Sequence, residues 1–336
     1  MNTALPLAFE IISMVVLVII LVVDLALVAK RPHIPSMREA SLWVGFYVAL
    51  ALIFAGLMFW IGDAQHGAEF LAGWLTEYSL SIDNLFVFVI IMSRFAVPKK
   101  FQQEVLMIGI ILALVLRGIF IIVGVQIIEN FSAIFYIFGA FLVYTAWKQV
   151  MPENHEDEGK ENFMVRGLRK RINLTDEFHG TKFRTVIDGK KYWTPMLIVF
   201  IAIGTTDLLF AIDSIPAIFG ITQSAFIVFT ANVFALMGLR QLYFLLGGLL
   251  DRLIYLKYGI AAILGFIGVK LVLHAMHVNE LPFVNGGEPI EWAPEISTWT
   301  SLGVIIAAMA IATIASLIKV SRDSKKGGEH LHLGSE

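Results

Sequence analysis

Apolar positions along this chain gather into long blocks rather than the short periodic stripes of a water-soluble fold. Windows of spanning length fall at 9–29, 40–61, 69–92, 104–125, 131–148, 193–217, 225–246, 257–276 and 298–319. A helix needs about 20 predominantly apolar residues to cross a hydrocarbon core about 30 Å thick. The pattern therefore predicts an all-α polytopic membrane protein of about nine transmembrane helices. The run from Phe9 to Val28 has no basic segment before it and no small-residue cleavage site after it. It reads as the first span rather than a removable signal.

Composition agrees: 58% of the 336 residues are hydrophobic and 15% charged, against about 25% charged in soluble domains. The net charge of −2 gives no reason to expect a nucleic-acid partner. Cysteine is absent, which removes disulfides, thiolate metal sites and cysteine nucleophiles together. Position matters more than total charge. Basic residues cluster in alternate connections: Lys30, Arg31 and Arg38; Arg94, Lys99 and Lys100; Arg166 to Lys191; Arg252 and Lys257; and Lys319 onward. The connections between carry acids, such as Asp63, Glu129 and Glu280 to Glu295. The positive-inside rule then orients the chain N-out and C-in, multi-pass in a bacterial plasma (inner) membrane with the lipid bilayer as its immediate partner. Trp43, Trp60, Trp147 and Trp193 lie near span ends, as an aromatic belt requires. Nothing in the sequence decides whether the chain forms a homo-oligomer.

The connection 149–192 alone has room for structure outside the bilayer. Its first part, MPENHEDEGKEN, is polar, and the plain reading is a solvated linker. A weak cation site at His155 with Glu156, Asp157 and Glu158 is the sharper alternative, and His330 and His332 in the tail offer less. The second part is basic and suits anionic headgroups.

Self-comparison organises the rest. Span three carries S81-I-D83-N84-L-F and span six A211-I-D213-S214-I-P, with Glu77 and Asp207 each six residues before the aspartate. Arg117 in ALVLRGIF has a counterpart in Arg240 of ALMGLRQLYF, and Tyr136 to Lys148 matches Tyr258 to Lys270. With the predicted topology these units are inverted repeats, a transporter device that places the substrate site near the bilayer midplane. The organisation is then 1–67 for the first two helices, 68–148 for repeat A, 149–192 for the cytoplasmic loop, 193–276 for repeat B, 277–297 for an acidic outer loop, and 298–336 for the last helix and tail.

Four carboxylates inside apolar helices need compensation, since an ionised Asp at a helix centre costs about 2.5–3.5 kcal/mol on insertion scales. The candidates are Glu77, Asp83, Asp207 and Asp213. Asn84 and Ser214 lie seven residues after Glu77 and Asp207, on the same helical faces, and Ser81 joins the first set. Arg117 and Arg240 are the central cations, too few for four acids, and are expected to hold the carboxylates in place or to stand in for a missing ion. Pro216 suggests a kink or an unwound stretch beside Asp213. Asp24 reads as snorkelling or gating the cytoplasmic mouth, and Asn232 as an interhelical hydrogen bond or a further oxygen ligand. All these donors are oxygens, which suit Mn, Mg or Ca better than Cu or Zn. A protonated structural network and a proton or monovalent-cation path remain open beside the metal reading. Without cysteine, a central histidine or a serine–base pair, no enzyme is expected.

The stretches E77-Y-S-L-S-I-D83-N84-L-F-V-F and T206-D207-L-L-F-A-I-D213-S214-I-P-A resemble the TerC family of membrane proteins, Alx-type members included. The resemblance implies a transporter-like fold distantly related to the lysine-exporter superfamily. It also implies manganese export, supply of metal to exported proteins and, by name, tellurium resistance. It carries the family's acids onto Glu77, Asp83, Asp207 and Asp213, with Asn84 and Ser214 beside them. Many members have a further Glu where this chain has Gly204, with Thr205 and Thr206 as partial replacements. The expectation is a divalent-cation exporter with Mn2+ as substrate ion and no permanently bound cofactor, working by alternating access with proton coupling. The alternative is a non-transporting membrane scaffold for metal or tellurite stress and metalation of exported proteins.

Overall fold

The computed structural model describes residues 5–30, 35–131, 133–151, 175, 178, 180–187, 190–246, 255–279, 281, 284–290 and 292–332. The loop histidine and acids at 155–158 lie outside the described residues, as do the side chains of His330 and His332. Among the described residues ten α-helices dominate: α1 (Leu7–Lys30), α2 (Met37–Ile61), α3 (Ala64–Arg94), α4 (Lys99–Asn130), α5 (Ile134–Val150), α6 (Pro195–Phe219), α7 (Ala225–Leu236), α8 (Leu239–Leu246), α9 (Leu256–His277) and α10 (Thr298–His332). A two-stranded antiparallel hairpin, β1 (Arg184–Ile187) with β2 (Lys190–Trp193), immediately precedes α6. Arg184 stacks 3.7 Å over the Trp193 ring across this ladder, which holds the described end of the long loop together next to α6.

Eight segments among the described residues are long and apolar enough to cross a bilayer, with α7 and α8 counted as one broken segment. The protein is an all-α, multi-pass membrane protein. The remaining expected span is α5, whose 17 residues make it the short one, about 25 Å at about 1.5 Å per residue. It lies along α9 at very close range. A Cβ on Gly139 would meet the Gly268 carbonyl at 2.7 Å, and one on Gly268 would meet the Gly139 carbonyl at 2.8 Å. Small residues allow such approach where apolar burial gives helices no reason to associate in lipid.

Side-chain contacts sort the helix ends into two sets. Glu69 near the start of α3, Thr222 just after α6 and Thr298 at the start of α10 meet at one end. Asp24 late in α1, Tyr47 early in α2 and Arg240 in α8 meet at the other. Helices α3 and α6 therefore run antiparallel.

The break expected beside Pro216 is absent. Pro216 sits inside α6 and the helix continues to Phe219, because proline removes a single N–H close to an end where the helix stops anyway. The break lies between α7 and α8. Met237 leaves helical geometry with ψ 130, and Gly238 takes φ +83. A Cβ at Gly238 would also lie 2.9 Å from the Tyr47 ring. Both the left-handed turn and the packing demand glycine there.

The buried apolar residues form two clusters. One gathers Phe54, Phe70, Trp74, Leu80, Ile121, Ile215, Ile218 and Phe234 toward the Glu69 end. The other gathers Leu85, Phe88, Met92, Leu106, Ile198, Ile203, Leu239 and Tyr243 toward the opposite end. Along α3 the change falls between Leu80 and Leu85, and along α6 between Ile203 and Ala211. A polar layer occupies that gap.

Candidate cation site at mid-depth

Helices α3, α4 and α6 build the layer. Asp63 caps α3, its carboxylate accepting from the His66 backbone N–H at 2.8 Å. From that start Glu77, Ser81 and Asn84 recur at helical spacing and share one face. Helix α4 contributes Arg117, and α6 contributes Asp207 with Ser214 seven residues later. All are buried, with exposures of 0% for Glu77, 1% for Arg117 and 3% for Asp207.

Arg117 is the centre of the layer. Its Nη1 donates to Glu77 Oε2 at 2.7 Å, and its Nη2 lies 3.6 Å from Asp207 Oδ1. The Asn84 side chain, with its amide nitrogen donating to the Leu80 carbonyl at 3.0 Å, turns its oxygen to Arg117 Nη2 at 3.3 Å. Ser214 lies against the Glu77 carboxylate without completing a well-formed hydrogen bond. One guanidinium thus joins two carboxylates from antiparallel helices.

The cluster is incomplete as a hydrogen-bond network. Glu77 Oε1, Asp207 Oδ2, Ser81 Oγ, Ser214 Oγ and Arg117 Nε are buried and have no partner. A buried polar atom left unpaired costs about 1–3 kcal/mol. Next to them is a small, mostly apolar cavity of about 10 Å3, where Ser81, Asn84, Arg117 and Asp207 meet Leu85, Phe88 and four other apolar residues. Thr76, adjacent to Glu77 and fully buried, also has an unpartnered hydroxyl. Sequence reading overlooked it, because a single threonine in an apolar helix is usually satisfied by its own backbone. Among the described residues no three acidic or imidazole groups converge as an open metal cage.

A profile of the integral membrane protein TerC family matches residues 62–324. The chain belongs to the TerC family. An uncharacterised membrane protein of Mycobacterium tuberculosis is 45% identical over 301 residues, covering 88% of this chain and 76% of its own. One from Myxococcus xanthus is 39% identical over 299 residues, covering 89% and 88%. Escherichia coli Alx, described as a candidate membrane-bound redox modulator, is 38% identical over 328 residues, covering 94% and 96%. No solved structure matches the chain.

In this TerC protein the remaining expected site residues divide. Asp83 and Asp213 belong to the helical backbones of α3 and α6, but their side chains lie outside the described residues. Among the described residues Arg240 pairs with Asp24 and not with Glu77 or Asp207. Its Nη2 donates to Asp24 Oδ1 at 3.3 Å, and Tyr47 donates to the same oxygen at 2.6 Å. The cause is the break at Met237 and Gly238, which puts Arg240 on a separate helix, α8, packed near α1 and α2. Asp24 accordingly does not snorkel free; it anchors that corner. Sequence reading missed Tyr47, whose partner is 23 residues away on another helix. Asn232 is buried at 3% exposure with its Nδ2 unpartnered, rather than tied across helices through that nitrogen. At Gly204 a Cβ would meet Leu112 Cδ2 at 2.7 Å, so a larger side chain requires that leucine to move. The Thr205 hydroxyl donates to the Ile201 carbonyl at 2.7 Å.

Toward the Glu69 end lies a second polar region, a cavity of about 580 Å3 lined by Gln65, His66, Glu69, Thr222, Lys270 and His274 among others. Gln65 donates to Glu69 Oε1 at 2.6 Å and to Thr298 Oγ1 at 2.7 Å, and Thr222 donates to Glu69 Oε2 at 2.6 Å.

Proposed function

We propose that this protein exports a divalent cation, Mn2+ before others, by alternating access through the mid-depth layer. The observation that carries the reading is the pair Glu77 and Asp207: two carboxylates on antiparallel helices, enclosed between two apolar clusters, with oxygens left unsatisfied. An enclosed midplane site between symmetry-related helices is the occluded stage of a transport cycle. The antiparallel course of α3 and α6 supports treating 68–148 and 193–276 as inverted units. Oxygen donors favour Mn2+, Mg2+ and Ca2+, and the strict octahedral demand of Mg2+ makes it the poorer fit to a compact cage. The outward direction follows from the family resemblance.

Expelling a divalent ion from a negative interior costs about 4.6 kcal/mol at about 100 mV. Protons returning through the same carboxylates supply that work, because protons and metal compete for one set of oxygens. The name given to Alx brings redox balance into view; this chain has no cysteine, so a redox effect runs through metal supply and not through thiol chemistry.

The test is Mn2+ flux in proteoliposomes. The wild-type protein moves Mn2+, and the Glu77→Gln, Asp207→Asn double variant, verified as folded and inserted, does not. Equal flux from both proteins would defeat the proposal. A reporter fused after Lys170 lies inside and one after Glu291 outside; both on one side contradict the inverted units.

A further inference from the structure

The mid-depth layer leaves carboxylate oxygens that no described donor closes with a well-formed hydrogen bond. Arg117 satisfies Glu77 Oε2 closely, approaches Asp207 Oδ1 only to 3.6 Å, and leaves Glu77 Oε1, Asp207 Oδ2, Ser81 Oγ and Ser214 Oγ without partners. A salt bridge built only for structure would close these valences, since a half-satisfied buried network is worse than an apolar one. A further mismatch is on the cation: Arg117 Nε is buried and unpaired as well. The guanidinium therefore sits in a carboxylate cradle that it does not saturate, beside a small void of about 10 Å3 whose walls are mostly apolar. No second cation relieves the layer among the described residues, because Arg240 is held by Asp24 and Tyr47.

We infer that Arg117 is a built-in substitute for the transported cation: its guanidinium neutralises Glu77 and Asp207 when the site is unloaded, and the arriving divalent cation displaces it. This rests on the transport reading above and adds what the empty carrier does. Two bare carboxylates cannot cross the apolar clusters, since burying an unpaired charge is strongly unfavourable. With Arg117 swung in, the unloaded site is partly neutralised and the helices can return. Loading releases Arg117 from the carboxylates as the cation takes the Glu77, Asp207, Asn84 and Ser214 oxygens.

The experiment compares wild type, Arg117→Ala and Arg117→Lys, each full-length, in nanodiscs for Mn2+ binding and in proteoliposomes for flux. Two flux modes are read: net movement into Mn2+-free buffer, which needs the unloaded return, and exchange of labelled for unlabelled Mn2+, which does not. Removing the competing guanidinium should tighten Mn2+ binding by about tenfold or more, within the range of typical coupling energies. Net flux should fall much further than exchange. Added guanidinium ion, at concentrations too low to denature, should weaken Mn2+ binding to Arg117→Ala, leave wild type unaffected, and restore part of the net flux. Arg117→Lys keeps the charge but not the span between two carboxylates, and should fall between the other two proteins. If Arg117→Ala folds only with Mn2+ or guanidinium present, that dependence supports the inference directly. Unchanged or weaker Mn2+ binding in Arg117→Ala, or equal loss of both flux modes with no guanidinium rescue, overturns it. Wild type that neither binds nor moves Mn2+ overturns the transport reading instead, so the two failures are distinguishable.

Discussion

Two glutamates on the same helix, Glu69 half-buried and Glu77 fully buried, have opposite surroundings. Glu69, near the start of α3, has a donor on each carboxylate oxygen: Gln65 on one and Thr222 on the other. Glu77, two turns deeper, has Arg117 on one oxygen and nothing on the other. The first ties α3 to the segment after α6, and through Gln65 to α10, so it works as a clasp holding helix ends together. The second is left short of partners in the driest part of the molecule. A satisfied carboxylate fixes structure, whereas an unsatisfied one at mid-depth is available to an ion. The same side chain thus supports two functions, separated by hydrogen-bond completeness as well as by burial.

The largest effect should come from breaking the unsatisfied side of this contrast. Asp207→Asn removes one of the two described carboxylates and is expected to bring Mn2+ flux in proteoliposomes to background. Thr222→Val, at the clasp, should leave most of the flux intact. Comparable flux loss in both variants would erase the distinction between site and clasp.

Stability should follow next. Glu77→Ala leaves Arg117 buried without its closest partner, and breaking a buried ion pair from one side costs about 3–5 kcal/mol. Thermal unfolding of the purified protein in detergent should show a clear drop, and addition of Mn2+ should not recover it. Thr222→Val removes a single hydrogen bond to Glu69 and should cost about 1–3 kcal/mol. If Thr222→Val proves the more damaging of the two in the same unfolding measurement, the clasp is the greater stabilising element and the ranking fails.

The smallest effect lies at the start of the helix that carries both glutamates. The backbone N–H of His66 holds the Asp63 carboxyl below its usual range, and the His66 side chain adds to this. A carboxyl depressed in the folded state contributes stability that is present above its unfolded value, about 3.9, and lost as pH falls through the folded value. The share from the backbone cap should therefore persist above about pH 5 and vanish only in strong acid. Asp63→Ala removes the cap at a typical cost of about 1 kcal/mol. An Asp63→Ala protein as stable as wild type above about pH 5, in the same unfolding assay, would contradict the cap.

Much of this molecule follows from the sequence alone. Block lengths and the placement of Lys and Arg specify an all-α, multi-pass membrane protein, because the bilayer demands internally bonded helices of a set length and basic residues stay on one side. Burial of Glu77 and Asp207 was legible in the same way, since an acid at the centre of an apolar window has nowhere else to go. Pairing was not legible. Arg117 and Arg240 look equivalent in sequence, but among the described carboxylates Glu77 and Asp207 meet Arg117, and Arg240 meets Asp24. The difference is made by a two-residue break at Met237 and Gly238 and by Tyr47 and Asp24 waiting beside α8. Spacing along one helix determines which residues share a face; which faces meet depends on packing among helices far apart in the chain. The tertiary structure also decided which oxygens remain unsatisfied, because a hydrogen bond is completed or missed by a fraction of an ångström that no periodicity encodes.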